Sequence, residues 1–434
     1  MFTHLLYARH SIEFSNQEPS ELTSMILPST LKHTKVLNVT FSELRLKTPY
    51  EVGMNDYYAL FVNRVLQEMP NLKYFRYVFL LCGKTHADLG PRWEDHAFED
   101  SYGPSLILRN PELLRTLKGC QTLRDLSLQF ASQYLDDRVA ARNCFTSLIG
   151  FRNLASLELY QLYGDEKYIT MEIALVLSEC PGLKILGLGW ACDFDCIRLP
   201  EVLVLEDGSQ FFERLCIAYE SRGTAPLALH KLRLGEGVCP SRSTSNDTIG
   251  HFARLVNVSR LKVLHIYNGL IKYGSLDAKA ELMRVNWALF HDCTSLHQLC
   301  ISRIQDDVVE WLNEVAKSVQ ELIVTEHYGK YDRDLDNFTV LDLPHLSMIV
   351  TRECMVSDRV DDESSWETAS SEFSESESSL PDTDFWGSPS ESDSSLSNLR
   401  TDKSIISILD RLGRGASQLT KLSLCLDLET QWVC

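Results

Sequence analysis

The chain has 434 residues, a net charge of -18, 44% apolar and 9% aromatic residues. The apolar content excludes a wholly unfolded chain, and the length exceeds what one packed core usually holds, so an elongated stack of repeats is favoured over one globule. No stretch approaches the roughly 18 apolar residues that cross a bilayer, the first ten residues lack a secretory signal, and the acidic balance predicts no nucleic-acid footprint. In chain order, the first segments of period two are Val36-Leu37-Asn38-Val39 and, after a helical stretch over Tyr57 to Met69, Leu72-Lys-Tyr-Phe75-Arg-Tyr77. The stretch from Lys84 to Tyr102, with Trp93 and several acids before Gly103-Pro104, reads as a surface excursion. A fixed signature then recurs as Leu123-Arg-Asp-Leu126-Ser-Leu128, Leu154-Ala-Ser-Leu157-Glu-Leu159, Leu183-Lys-Ile-Leu186-Gly-Leu188 and Leu229-His-Lys-Leu232-Arg-Leu234. It continues as Leu261-Lys-Val-Leu264-His-Ile266, Leu296-His-Gln-Leu299-Cys-Ile301, Val319-Gln-Glu-Leu322-Ile-Val324 and Leu419-Thr-Lys-Leu422-Ser-Leu424.

A strand of period two buries the fourth and sixth positions of each unit on one face, while the first fills the turn behind it. Between these strands the spacing predicts helices over Tyr168 to Glu179, Ser209 to Glu220, Leu276 to Phe290, Asp306 to Ala316 and Thr401 to Leu412. In the first of these, Ile169, Ile173, Val176 and Leu177 would cover the back of the strand layer. Proline marks the helix-to-strand junction in Met69-Pro-Asn-Leu72, Cys180-Pro-Gly-Leu183 and Leu343-Pro-His-Leu346, since it cannot donate to the helical ladder. First positions are spaced by 31, 29, 46, 32, 35, 23 and 27 residues from Leu123 to Leu346, which favours long repeats with a helical back. The predicted fold is α/β, a leucine-rich-repeat solenoid with a curved parallel sheet inside and helices outside. Its predicted parts are an N-terminal capping segment 1–30, irregular repeats 31–354, a disordered acidic serine-rich insert 355–400 and a last repeat 401–434.

The core of that insert, 357–397, holds twelve acids against Arg359, which leaves the rest of the chain at -7. So little aliphatic surface cannot offset the entropy of ordering, and disorder is expected there. Ser364, Ser374, Ser379 and Ser390 each precede an acid by three residues, and Ser388 precedes Pro389, so these five are candidate phosphorylation sites. The scattered cysteines, among them Cys120, Cys180, Cys293 and Cys300, are read as free thiols in a reducing compartment, and the protein is expected in the cytoplasm or nucleus.

Sites of chemistry fail on spacing. Cys82-Gly83-Lys84-Thr85 lacks the earlier glycine of a phosphate loop, where Val78 stands. The run Asp332-Arg-Asp334-Leu-Asp336-Asn337 has Asn337 and Leu343 where a calcium loop needs glycine and a bidentate acid. Cys192 and Cys196 have no second ligand pair for zinc. No cofactor, metal or catalytic residue is therefore predicted, and the protein is expected not to be an enzyme. The outward positions of the strands are more informative: Ser127, Gln129, Glu158, Tyr160, Trp190, Arg233, His265, Tyr267, Arg303 and Thr325. Of these, Tyr160, Trp190, Arg233, His265, Tyr267 and Arg303 are the predicted partner-binding residues of the concave face, being types that carry interface energy.

The long irregular repeats with Pro-Asn-Leu or Pro-Gly-Leu junctions, and the opening Leu5-Leu-Tyr7-Ala-Arg9-His10-Ser-Ile12-Glu-Phe14, resemble the F-box leucine-rich-repeat proteins abundant in fungi. That resemblance implies repeats that hold a substrate, with an N-terminal F-box that docks a cullin-based ubiquitin ligase through its adaptor. No Leu-Pro-x-Glu segment stands ahead of Leu5, so an adaptor is expected only if an F-box is encoded upstream. The expected function is a non-catalytic scaffold that binds a protein partner, with no nucleic acid and no membrane. The alternative is a substrate-recognition subunit whose F-box is missing from this chain.

Overall fold

Among the described residues, twelve strands lie side by side in one sheet in strict chain order, β1 to β12, every neighbouring pair parallel. The computed structural model describes residues 8–14, 19–42, 52–80, 110–129, 148–162, 165–190, 208–235, 238, 246–266, 285–301, 306–326, 345–353 and 421–425. The strands are β1 Arg9–Phe14, β2 Val36–Ser42, β3 Tyr74–Leu80, β4 Asp125–Gln129, β5 Ser156–Leu162 and β6 Ile185–Trp190. They continue as β7 Lys231–Leu234, β8 Val263–Ile266, β9 Gln298–Ile301, β10 Glu321–Glu326, β11 Met348–Glu353 and β12 Lys421–Cys425. Each predicted signature is one strand, and the opening that carries the family resemblance supplies the first.

Register follows the repeat. The fourth positions form one cross-strand row through Leu37, Phe75, Leu126, Leu157, Leu186, Leu232, Leu264, Leu299 and Leu322. None is more than 1% exposed, and the sixth positions from Val39 to Val324 are at most 2% exposed. Burying one such side chain stabilises by roughly 1.5–3 kcal/mol, so a unit gains only when a neighbour covers its row.

The helices close the other side of that core. They are α1 Pro19–Ser24, α2 Val52–Gln67, α3 Pro111–Gly119, α4 Glu166–Glu179, α5 Gly208–Glu220, α6 Asn246–Leu255 and α7 Asp306–Glu314. In α4 the Asp165 side chain accepts from the Tyr168 amide at 3.2 Å, and Ile169, Ile173, Val176 and Leu177 are buried as their spacing predicts. Helices α1, α3 and α6 are not among the predicted ones. Asn110 caps α3 by accepting from the amides of Glu112 and Leu113, with Pro111 at the first helical position. The helix expected over Leu276 to Phe290 is, where described, a short 3-10 turn over Trp287–Phe290 behind the bridging Val285. Trp287 there stacks on Trp311 of α7 at 4.7 Å, and an aromatic chain runs on through Phe290 and Phe252 to Phe212 of α5. Large rings occupy the space that a full helical turn would otherwise fill.

Units join through a second periodic device. The carbonyl at the second position accepts from the amides at the second and third positions of the next unit: Lys35 from Lys73 and Tyr74, Lys73 from Arg124 and Asp125, and Arg124 from Ala155 and Ser156. Ala155, Lys184, His230 and Lys262 repeat the pattern, all at 2.7–3.1 Å. Side chains in the turns add to it, as Thr122 donates to the carbonyls of Pro70 and Leu72, and Ser318 to those of Thr294 and Leu296. Cys180 and Cys293 sit buried in the same turns, with their thiols against the carbonyls of Phe151 and Val258. Burial pushes the Cys293 thiol up to about 12. Cys120, Cys180, Cys216, Cys293 and Cys300 form no disulfide.

Candidate interaction face

On the face of the sheet away from the helices, the fifth positions form a row that includes Arg76, Ser127, Glu158, Gly187, Arg233, His265, Cys300 and Ile323. Its centre is polar. Glu158 of β5 and Arg233 of β7 are separated by a whole strand, about 9.6 Å of sheet. They nevertheless pair at 2.6 Å, Nη1 to Oε1, across β6. Gly187 makes this possible, because a Cβ there would lie 2.5 Å from the Tyr160 hydroxyl and 3.1 Å from Cγ of Glu158. A Cβ on Gly189 would likewise meet Cδ1 of Tyr160 at 3.1 Å. The Tyr160 ring therefore lies across the glycines of β6, 9% exposed, and forms the floor beside the ion pair.

A parallel row at the third positions brings Tyr74, Asp125, Ser156, Ile185, Lys231, Val263, Gln298 and Glu321 alongside. Burial and the neighbouring Glu158 raise the Asp125 carboxyl above its ordinary value, while burial and Arg233 lower the Lys231 ammonium. Gln298 donates to Glu321 at 2.9 Å. The face thus carries both signs of charge within four strands.

His265 lies beside this cluster, 8% exposed. Burial, then the cations of Lys231 and Arg233, push its imidazole down to about 3 against the opposing hydrogen bond of Gln298. The ring is neutral at physiological pH. Between about pH 6.5 and 3 the unfolded chain binds a proton that the folded chain does not, so acid removes stability. The expected loss from this residue is about 2 kcal/mol on going from pH 7 to pH 5, by the linkage slope of roughly 1.4 kcal/mol per pH unit. Urea unfolding of the wild type and of His265→Gln at both pH values tests it. An equally steep loss in the variant would assign the slope to other groups.

Of the predicted partner-binding residues, Tyr160, Arg233 and His265 are brought together on β5, β7 and β8. Trp190 ends β6, its side chain outside the described residues, as are Tyr267 and Arg303 entirely. The candidate phosphorylation sites Ser364, Ser374, Ser379, Ser388 and Ser390 and the pair Cys192 and Cys196 also lie outside them. Among the described residues, no three His, Cys, Asp or Glu side chains gather as metal ligands, and no helix is long and apolar enough to cross a membrane.

No family model matches the sequence, and no curated protein matches it. Several solved structures are similar to the chain, two of them as follows. One is a chain of the yeast Rad7 and Elc1 complex, at 14% identity and a TM-score of 0.39, covering 74% of this chain and 63% of that one. The other is a protein from Bacteroides fragilis at 13% identity and a TM-score of 0.26, covering 54% of this chain and 60% of that one. This chain thus spans less than two thirds of the length of each neighbour, and its assignment as a leucine-rich-repeat solenoid rests on its own strand order and repeat.

Proposed function

We propose that the protein is a non-catalytic interaction scaffold, acting in the cytoplasm or nucleus, that holds a protein partner on its helix-free face. The observation that carries this reading is the patch of Tyr160, the Glu158–Arg233 pair and neutral His265, fixed on neighbouring strands of a rigid sheet. Tyr and Arg contribute most where they are already held in place, because little side-chain entropy is then lost on binding. The mixed charge of the third-position row would select a partner of complementary pattern and not simply a basic or acidic one.

The test is face-specific charge reversal. Lys231→Glu and Asp125→Lys are expected to reduce recovery of the natural partner at least tenfold, while Arg115→Glu on the exposed surface of α3 leaves it unchanged. Equal recovery with all three, at equal melting temperature, would remove the helix-free face as the binding surface.

The second reading is substrate recognition for a cullin-based ubiquitin ligase. It is favoured by β1, because the opening that resembles the strand after an F-box pairs residue by residue with β2 and so belongs to the repeat stack. Affinity purification of the chain with and without the residues encoded upstream of Met1 decides it. Recovery of adaptor and cullin with the longer form alone supports the ligase reading, and recovery of neither supports the plain scaffold.

A further inference from the structure

We propose that the sheet edge at which the strands begin is a basic docking site, and that its occupant is the chain's own acidic segment 357–397. The second positions of successive units hold Lys35, Lys73, Arg124, Lys184 and Lys262, with only Ala155 and His230 between the first and last of these. The one-carbonyl junction fixes each of these residues one strand spacing from the next, so the column runs about 29 Å from β2 to β8. Lys35, Lys73, Arg124 and Lys262 are exposed and Lys184 is half-buried. Among the described residues, none of the four lysines forms an ion pair, and the Arg124 guanidinium donates only to the carbonyl of Asn153. The two turn residues ahead of each unit's first position add Lys32, Arg152, Arg260 and Lys317, and from β2 to β10 neither they nor the column contains an acid. Glu179, one turn back on α4, meets Arg152 at 3.7 Å and is the acid that comes near this edge in an ion pair. In a chain with 60 acids against 42 Lys and Arg, a column and adjoining turn positions without an acid are a segregated charge pattern.

Two facts select the occupant. First, segment 357–397 carries twelve acids and one Arg, the complement of the column, and about nine extended residues cover 29 Å. Second, β11 ends at Glu353 on the far edge, while β12 starts at Lys421, paired with Met348. Parallel pairing with β11 places the start of β12 on the edge on which the column lies. Tethering places the segment at an effective concentration on the order of 1 mM, so any polyanion from outside must compete with it. Nucleic acid is disfavoured besides, because the rest of the chain is itself at -7.

The experiment uses the full chain with 357–397 replaced by a neutral Gly/Ser stretch of equal length. A fluorescent synthetic peptide of sequence 357–397 is expected to bind this variant, and to bind the intact chain at least tenfold more weakly because its site is filled. Raising salt from 50 to 200 mM should weaken the complex at least threefold. Lys35→Gln, Lys73→Gln, Lys184→Gln and Lys262→Gln together should abolish it with the melting temperature unchanged. In the intact chain, carbodiimide should cross-link column lysines to carboxylates of 357–397, which reads the contact even where a variant fails to fold. Absence of those cross-links, peptide binding that survives the four substitutions, or equal binding by both chains overturns the proposal. Tighter binding of an oligonucleotide than of the peptide to the neutral-linker chain overturns the choice of occupant.

Discussion

Leu186→Asp is expected to abolish cooperative unfolding of the central repeats, with a loss of at least about 4 kcal/mol. Leu186 is fully buried in the fourth-position row, between Leu157 of β5 and Leu232 of β7. The carboxylate would face the core formed by α4 and α5, where nothing can hydrate it, and the lost leucine removes contacts from both flanking units. Because stability in a stack is a sum over units and their interfaces, a defect on β6 uncouples what lies before it from what lies after. Circular dichroism melting of the variant should show a broadened or split transition with reduced helical signal. A single transition at the wild-type temperature would mean that β6 is not an interior strand of the stack.

Arg233→Met is the second large effect, with an expected loss of about 2–4 kcal/mol. The side chain of Glu158 is only 12% exposed and that of Arg233 30%, so removing the guanidinium leaves a carboxylate that water reaches poorly. Partial exposure keeps the loss at or below the 3–5 kcal/mol typical of fully buried pairs. Glu158→Gln with Arg233→Met should recover most of the stability, since no charge is then stranded. Urea unfolding of the two single variants and the double variant closes the cycle. Additive losses would show that the two residues do not interact in solution.

The strands were legible because the Leu-x-x-Leu-x-Leu spacing encodes both period and register, and a one-residue slip would expose the whole row. The helices were legible where their apolar spacing was long, as in α4. Helix α3 escaped because its apolar set is brief, at Leu113, Leu114 and Leu117, and its start, Asn110-Pro111, also reads as a turn. Helix α6 follows a Ser/Thr-rich run that reads as loop. Alternation along the strands placed Tyr160, Arg233 and His265 on one face, but the contact between Glu158 and Arg233 was hidden, since it joins residues 75 apart across an intervening glycine. The sequence also predicted no basic stripe. Its cations stand at most one per second position and at irregular intervals, and only the stacking of second positions aligns them, against a net charge of opposite sign.

The one-carbonyl junction has a bearing on how such a chain can change length. His230 receives Lys262 and Val263 as Lys184 receives His230 and Lys231, so the inner edge is the same socket at each step from β1 to β10. Loss or duplication of a whole unit would leave that edge continuous. The outer layer is not so interchangeable, since the rings of Phe212, Phe252, Phe290, Trp287 and Trp311 touch in sequence and each is shaped to its particular neighbour. Units from β7 to β10 are therefore bound to one order by their backs, while their strand edges would accept any. Gain or loss of units is accordingly expected to be tolerated outside that aromatic block sooner than within it.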